Sequence, residues 1–289
     1  MTESSHPIDS SHPSGGRPPI RMIGTDLDGT LLATDGTISA RTVASVRAAV
    51  EAGVEVVPTT GRPKIVAADV LAALPFLRWW IFANGSVTWD NHTGEVVRGF
   101  FMEPDTARGI IDLVRAELPG VGLALEFPDE AIHEAGFEEI VPGADLPDPV
   151  VDVREHVHEP VQKVLVFDRN RTVDELFAAV TNAVGESAVP SYSGLAFIEL
   201  AAAAVTKASG LADMAADLGI DVSEVAVVGD NHNDLPMFDW AGRSFAMANA
   251  TDDALAAADE VIGYNDDDAA AELFDGLVAE YRAATNGRG

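Results

Sequence analysis

Short apolar runs alternate with helix-like segments at both ends of the chain, and this alternation limits the possible folds more than any other feature. In the first part, residues 20–25, 54–59 and 79–83 have the pattern of buried strands, and residues 40–51 have that of a helix. Residues 206–247 repeat the alternation of helices and strands. Strands that are joined by helices pair in parallel. The sequence therefore predicts an α/β fold built on a parallel sheet.

The middle of the chain follows a different pattern, with hairpin-like strands and two longer helices. This pattern predicts an α+β cap domain at 87–196, inserted between two parts of a core domain at 20–86 and 197–289. A domain that is inserted into an exposed loop can move as a lid over the edge of the sheet. Residues 1–19 are rich in Ser, Pro, Gly and His, and a leader with so little apolar surface is expected to be disordered.

The charge of the chain limits its partners. Lys and Arg number 18 against 47 for Asp and Glu, which gives a net charge of −29 at pH 7. A surface of this charge repels nucleic acid and anionic membranes, so neither is an expected partner, and an anionic substrate needs a local positive site. The absence of cysteine and of any apolar run long enough to cross a bilayer fits a cytoplasmic protein. The sequence carries no sign of an oligomeric state.

Two aspartates follow the first apolar run, in the segment Asp26, Leu27, Asp28, Gly29 and Thr30. The functional loops of an α/β protein follow the carboxyl ends of its strands. Because the strand ends near Asp26, a turn can bring Asp28 back over the same pocket, and Gly29 supplies the backbone freedom for that turn. Taken alone, the segment also fits an acidic turn or a helix cap.

Two further segments can hold an anion. Thr60 and Gly61 follow the second predicted strand, where a hydroxyl and backbone N–H groups can bind a phosphoryl oxygen. The sequence predicts a helix from Pro63 to about Leu74, and the structural alternative for Thr60 is that it is only the N-cap residue before this helix. Lys207, one of only three lysines, stands at the head of a predicted helix, where the helix dipole favours acids. This position indicates a local anion, and a solvated surface lysine is the alternative.

Acids and amides alternate in the segment Gly229–Asp234, which follows the apolar run 225–228. Asp230 and Asp234 stand four residues apart, and Asn233 lies between them. In proteins, Mg²⁺ prefers a site with a small number of carboxylates and additional oxygen ligands. The segment therefore predicts a magnesium site, and a capping loop with Asp230 as the N-cap residue is the structural alternative.

These segments resemble a known family. Four of them are similar, in order, to the four motifs of the haloacid dehalogenase (HAD) superfamily: DLDGTLL from Asp26, TGR from Thr60, Lys207, and GDNHNDLPMF from Gly229. The Asn84 and Gly85 pair fits as well. Residues 20–281 as a whole resemble the Cof-type phosphatases of this superfamily, which carry a large C2-type cap between the second and third motifs. The resemblance implies a Rossmann-like parallel-sheet HAD core with an inserted α+β cap domain.

The resemblance also implies roles for these residues. Asp26 would be the nucleophile that takes the phosphoryl group as an aspartyl phosphate, and Asp28 would act as general acid and base. The magnesium ligands would be Asp26, Asp28 through its backbone carbonyl, Asp230 and Asp234. The phosphate-binding residues would be Thr60, Gly61, Lys207, Gly29 and Asn233.

The expected function is therefore the magnesium-dependent hydrolysis of a small-molecule phosphate monoester, such as a sugar phosphate. Two alternatives stay open. A phosphosugar mutase uses the same aspartates but returns the phosphoryl group to its substrate, and a non-catalytic phospho-acceptor switch changes a surface on phosphorylation. The second acid, two residues after the nucleophile, and the inserted cap favour the hydrolase over the switch. Steady release of inorganic phosphate distinguishes the hydrolase from both.

Overall fold

The computed structural model describes residues 17–128, 130–144 and 146–286, so the predicted leader at 1–19 lies almost entirely outside the described residues. The strands are, in chain order, β1 (Met22–Thr25), β2 (Glu55–Pro58), β3 (Trp79–Phe82), β4 (Val87–Asp90), β5 (Glu95–Gly99), β6 (Gly122–Glu126), β7 (Ala131–His133), β8 (Lys163–Phe167), β9 (Ala188–Ser191), β10 (Phe197–Ala202), β11 (Val225–Gly229), β12 (Arg243–Ala246) and β13 (Glu260–Val261). The α-helices are α1 (Ala40–Ala52), α2 (Ala68–Ala73), α3 (Pro104–Glu117), α4 (Val173–Val184), α5 (Lys207–Leu218), α6 (Leu235–Trp240), α7 (Asp252–Ala257) and α8 (Ala269–Asn286).

The core sheet is parallel, as predicted. Its strand order is β13-β12-β11-β1-β2, and every neighbouring pair runs in the same direction. A parallel bridge between Thr59 and Ile81 places β3 beside β2. Because β1, β2 and β11 are parallel neighbours, their carboxyl ends meet at one edge of the sheet. The loops that follow these three strands therefore lie side by side.

Helices cover both faces of the core sheet. Successive residues of a strand point to opposite faces. Met22 accordingly lies in an apolar cluster with Leu211 of α5 and Met237 of α6. Its neighbour Ile23 lies in another cluster, with Val46 of α1 and with residues of α8. This two-sided covering explains why every residue of β1 and β11 is buried, and it confirms the α/β class.

The second large sheet is antiparallel, with strand order β7-β6-β8-β10-β9. Helices α3 and α4 cover one of its faces, where Ile110 and Val180 share a cluster with Val164 of β8. Lys163 and Glu199, on β8 and β10, instead hydrogen-bond residues of the core domain. The antiparallel sheet with its two helices is the predicted α+β cap.

The strand pairing bears on the predicted boundaries of the cap, 87–196. β4 and β5 form a hairpin on β3 and do not join the cap sheet, whereas β10, which ends at Ala202, belongs to the cap sheet. We therefore propose that the insertion covers about 100–203. Hydrophobic alternation alone does not distinguish these two placements, because the same strand pattern fits either sheet.

The prediction of a helix from Pro63 to about Leu74 is wrong in its first turn. Residues 63–67 form turns, and α2 begins only at Ala68. Arg62 pairs with Asp28, and the ammonium of Lys64 lies 4.2 Å from the ring centroid of Trp89. These tertiary contacts hold the segment in turns and override its local helix signal.

Candidate active site

The carboxyl edge of the core sheet brings together the residues that were predicted from four separate segments. Asp26 follows β1, Thr60 follows β2, Asp230 follows β11, and Lys207 is the first residue of α5. All four are buried. Their positions follow from the parallel pairing of the three strands and from the packing of α5 against the same sheet.

Lys207 lies between two aspartates. Its Nζ donates hydrogen bonds to Asp26 Oδ1 at 2.6 Å and to Asp234 Oδ1 at 2.6 Å. The lysine is fully buried, so the alternative of a solvated surface lysine is wrong. Thr206 fixes the start of α5, because its side chain accepts a hydrogen bond from the backbone of Ser209. The helix start thereby holds the ammonium at the sheet edge.

Asp230 and Asp234 are held by hydrogen bonds from the surrounding loops. Thr30 Oγ1 donates to Asp230 Oδ1 at 2.9 Å. Asp234 Oδ2 accepts from the backbone N–H groups of Asp230 at 2.8 Å and Asn231 at 2.9 Å. Gly29 has a φ of +72°, and a Cβ atom at this position would lie 2.3 Å from Asp230 Oδ2. Gly29 thus gives the turn its backbone freedom and lets the carboxylate approach the backbone.

Burial and like charge perturb these acids. Burial raises the pKa of Asp26 well above its usual range; the neighbouring carboxylates add to this effect and Lys207 opposes it. Burial, followed by the charge of Asp234, raises the pKa of Asp230 to about 7. The ion pairs of Lys207 with Asp234 and Asp26 outweigh its burial and raise its pKa. The raised pKa values of Asp26 and Asp230 indicate that Lys207 alone does not compensate the negative charge of the cluster, while the raised pKa of Lys207 keeps the lysine protonated.

Carboxylate oxygens of Asp26, Asp230 and Asp234 lie within 4.8 Å of one another. With all groups ionised, three carboxylates and the ammonium of Lys207 carry two net negative charges, which a divalent cation would balance. Hard oxygen ligands of this kind suit Mg²⁺. The donor set therefore fits the predicted cofactor.

Asp28 lies apart from this acid cluster. Its carboxylate is half-exposed and accepts hydrogen bonds from Arg62, with Nε at 2.7 Å from Oδ2. The side chain therefore stands at the rim, between the loops after β1 and β2. The ligand role predicted for its backbone carbonyl, and its acid and base role, stay predictions. Arg62 itself was part of a motif but had no predicted role.

Thr60, Gly61 and Asn233 meet around Asn84. Thr60 is buried, and its Oγ1 accepts a hydrogen bond from the backbone of Arg62 at 3.1 Å. Asn84 has a φ of +55° and accepts at Oδ1 from Asn233 Nδ2 at 3.0 Å. A Cβ atom on Gly61 would lie 3.1 Å from Asn84 Oδ1. The predicted phosphate-binding residues Thr60, Gly61 and Asn233 are thus neighbours in space.

The cap contributes two residues that the sequence analysis missed. Lys163 Nζ donates to the Gly61 carbonyl at 2.6 Å and to Glu199 Oε1 at 3.0 Å. Glu199 Oε2 accepts from Asn84 Nδ2 at 2.5 Å. Each residue is a lone charge in an otherwise apolar strand, which is the signal that could have identified them.

An aromatic cluster joins the cap to the loop after β11. The ring of His232 stacks on Tyr192, with centroids 4.7 Å apart, and meets the edge of Phe177 at 4.5 Å. A cavity of about 110 Å³ lies beside it, lined by residues that include Ser191, Lys207 and His232. The cap and the core therefore share both polar and aromatic contacts around the site.

Within the described residues, no helix has the length and apolar character needed to cross a membrane.

Comparison with known proteins agrees with this geometry. The family of haloacid dehalogenase-like hydrolases matches residues 23–274. The chain is 28% identical over 262 residues to the 5-amino-6-(5-phospho-D-ribitylamino)uracil phosphatase YcsE of Bacillus subtilis, covering 88% of this chain and 94% of that one. It is also 25% identical over 266 residues to the pyridoxal phosphate phosphatase YbhA of Escherichia coli, and this match covers 88% of this chain and 97% of that one.

Solved structures show the same fold. A haloacid dehalogenase-like hydrolase from B. subtilis has a TM-score of 0.77 and 25% identity, and the match covers 89% of this chain and 99% of that one. A HAD subclass IIB sugar phosphatase has a TM-score of 0.76 at 22% identity, with the same coverage of 89% and 99%. The chain therefore belongs to the haloacid dehalogenase-like hydrolases, as a Cof-type phosphatase.

Proposed function

We propose that the protein is a magnesium-dependent phosphatase that hydrolyses small-molecule phosphate monoesters through an aspartyl phosphate on Asp26. The observation that carries this proposal is the placement of Asp26, buried at the end of β1, 2.6 Å from the ammonium of Lys207 and inside a cluster of three carboxylates. A nucleophile, a cation and a set of oxygen ligands are the parts that phosphoryl transfer needs.

Asp26 attacks the phosphorus atom, and the leaving alcohol departs from the opposite side. Lys207 neutralises the charge on the transferring phosphoryl oxygens, and the Thr60 hydroxyl and the backbone of Gly61 bind them. These donors lie at the ends of fixed strands and helices, so they need little rearrangement during the reaction.

Asp28 protonates the leaving alcohol and then removes a proton from the water that hydrolyses the aspartyl phosphate. Its half-exposed position at the rim, rather than in the acid cluster, suits a group that exchanges protons with an alcohol and with water. Arg62 holds the carboxylate in place between turnovers.

Asp26, Asp230 and Asp234 would hold Mg²⁺, with the Asp28 carbonyl as a further ligand. When bound, the ion supplies positive charge that offsets the repulsion between these carboxylates and an anionic substrate. Asp234 also supports the loop, because its Oδ2 accepts two backbone N–H groups.

The proposal is tested by a screen of phosphate monoesters with and without Mg²⁺, in which released inorganic phosphate is measured. The panel includes sugar phosphates, pyridoxal phosphate and 5-amino-6-(5-phospho-D-ribitylamino)uracil, because similar proteins are named as phosphatases of these compounds. Continuous phosphate release that stops with excess chelator and returns with Mg²⁺ supports the proposal. Transfer of phosphate between positions of a sugar, without release, would identify a mutase. Stable phosphorylation without turnover would identify a switch.

A further inference from the structure

We infer that Glu199 of the cap is a positioning residue: through Asn84, it orients the side-chain amide of Asn233 so that an N–H group, and not the carbonyl oxygen, faces a phosphoryl group beside Gly61. This inference rests on the proposed function, in which Asn233 binds that phosphoryl group. It links the position of the cap to the chemistry of the core.

Three side chains form a hydrogen-bonded relay from the cap to the core. Asn84 Nδ2 donates to Glu199 Oε2 at 2.5 Å, and Asn233 Nδ2 donates to Asn84 Oδ1 at 3.0 Å. All three residues are buried. A carboxylate has acceptors only, so it selects the nitrogen of Asn84 and leaves the oxygen of Asn84 for the nitrogen of Asn233. Glu199 therefore fixes the donor and acceptor of each hydrogen bond in the relay: Asn233 donates to Asn84, and Asn84 donates to the cap.

Lys163 anchors the cap end of the relay. Its Nζ lies 3.0 Å from Glu199 Oε1 and donates to the Gly61 carbonyl at 2.6 Å. Lys163 is fully buried, and its charge compensates that of Glu199. The carboxylate of Glu126 lies 3.8 Å from the same ammonium but makes no hydrogen bond to Asn84 among the described contacts. Glu199 alone of these two acids therefore belongs to the relay.

The core end of the relay lies over the predicted phosphate loop. A Cβ atom on Gly61 would lie 3.4 Å from Asn233 Nδ2, so this nitrogen stands directly above the loop of Thr60 and Gly61. One of its two N–H groups binds Asn84, and the other remains for a phosphoryl oxygen. With the amide reversed, Asn233 would direct its oxygen at both Asn84 Oδ1 and the phosphoryl oxygens, which are all acceptors.

The relay is complete only when the cap sheet lies on the core, because Glu199 and Lys163 come from β10 and β8. Withdrawal of the cap removes the carboxylate that orients Asn84, and the two amides then lose their fixed direction. Docking of the cap thus prepares Asn233 for the substrate, in addition to covering it.

A double-mutant cycle tests this coupling. Glu199→Gln keeps the shape of the side chain, but its amide can offer either nitrogen or oxygen to Asn84. With p-nitrophenyl phosphate and Mg²⁺, we expect Glu199→Gln to lower kcat about ten-fold, with a smaller change in KM, and to lower it less than about two-fold when Asn233→Ala is already present. Glu126→Gln is the matched control, since it makes the same change beside the same lysine. Its effect on kcat is expected to be the same in both backgrounds.

The same cycle on the urea midpoint of unfolding, without substrate, shows whether the two side chains are coupled at all. We expect non-additive midpoint shifts for Glu199→Gln and Asn233→Ala and additive shifts for the control pair. Additive effects on kcat would overturn the inference, as would an unchanged kcat in Glu199→Gln. If the wild type releases no phosphate from any ester, the proposed function fails. The same cycle is then applied to the binding of inorganic phosphate, measured by calorimetry, and additive effects on that binding would overturn the inference.

Discussion

Lys207 Nζ lies 2.6 Å from Asp26 Oδ1, and both side chains are buried at the carboxyl edge of the core sheet. Burial of either charge alone would cost several kcal/mol, so each depends on the other. The same ammonium lies 2.6 Å from Asp234 Oδ1. Lys207 is thereby fixed between two acids, at the place where a phosphoryl group bound to Asp26 would need a positive charge.

Removal of this lysine is expected to destabilise the fold. Lys207→Met leaves two buried carboxylates without their cation, and we expect the free energy of unfolding in the presence of chelator to fall by about 3–5 kcal/mol. Urea unfolding measures the change. Lys64→Met is the control, because Lys64 lies over the ring of Trp89 on a partly exposed segment, and it is expected to cost about 1 kcal/mol or less. Equal losses in the two variants would contradict the structural role of Lys207.

Magnesium is expected to stabilise the folded protein through the acid cluster. A ligand that binds only the native state adds about 2.7 kcal/mol at a free concentration of about 100 times its Kd, so Mg²⁺ should raise the melting temperature. Asp230→Asn removes one ligand of the cluster and is expected to reduce that shift strongly. Glu126→Gln changes a buried acid outside the cluster and should keep it. A magnesium shift that survives Asp230→Asn unchanged would place the ion elsewhere.

Glu126 is expected to make stability depend on pH. Burial raises its pKa from 4.5 to about 7, against the opposing charge of Lys163 and with the added repulsion of Glu199. Between these two values the folded state binds a proton that the unfolded state has lost, so stability falls as the pH rises, by roughly 3 kcal/mol at most. The amide in Glu126→Gln does not titrate. Its stability relative to the wild type should therefore increase from about pH 5 to about pH 8 in urea unfolding, and a constant difference would refute the assignment.

Much of the site could be predicted because it follows from local pattern and strand topology. Asp26, Thr60 and Asp230 each come directly after an apolar strand, and parallel pairing places such residues at one edge. The lysine at a helix start indicated an anion near Lys207, and the resemblance to the HAD motifs then placed it in the site. The inferences for Asp26, Thr60 and Asp230 need only a few neighbouring residues and the α/β rule.

The contacts of the cap could not be predicted in the same way. Glu199 and Asn84 are 115 residues apart, and Lys163 and Gly61 are 102 apart. Their contacts depend on how two domains dock, which hydrophobic periodicity does not encode. The turns at 63–67 were missed for a related reason, since the bond from Arg62 to Asp28 is tertiary. The pairing of the hairpin β4–β5 with β3 could not be predicted either, because its hydrophobic alternation fits either sheet.

The central claim is that Asp26 carries the phosphoryl group during hydrolysis, and trapping that group tests it most directly. The wild type is quenched in acid during turnover of an accepted ester with Mg²⁺, and peptides are analysed by mass spectrometry. We expect the peptide that contains Asp26 to gain the mass of one phosphoryl group, and we expect Asp26→Asn to lose both this label and phosphate release, by about 10⁴-fold or more, while its melting curve stays cooperative. Steady phosphate release with the label on another residue, or by Asp26→Asn itself, would contradict the account.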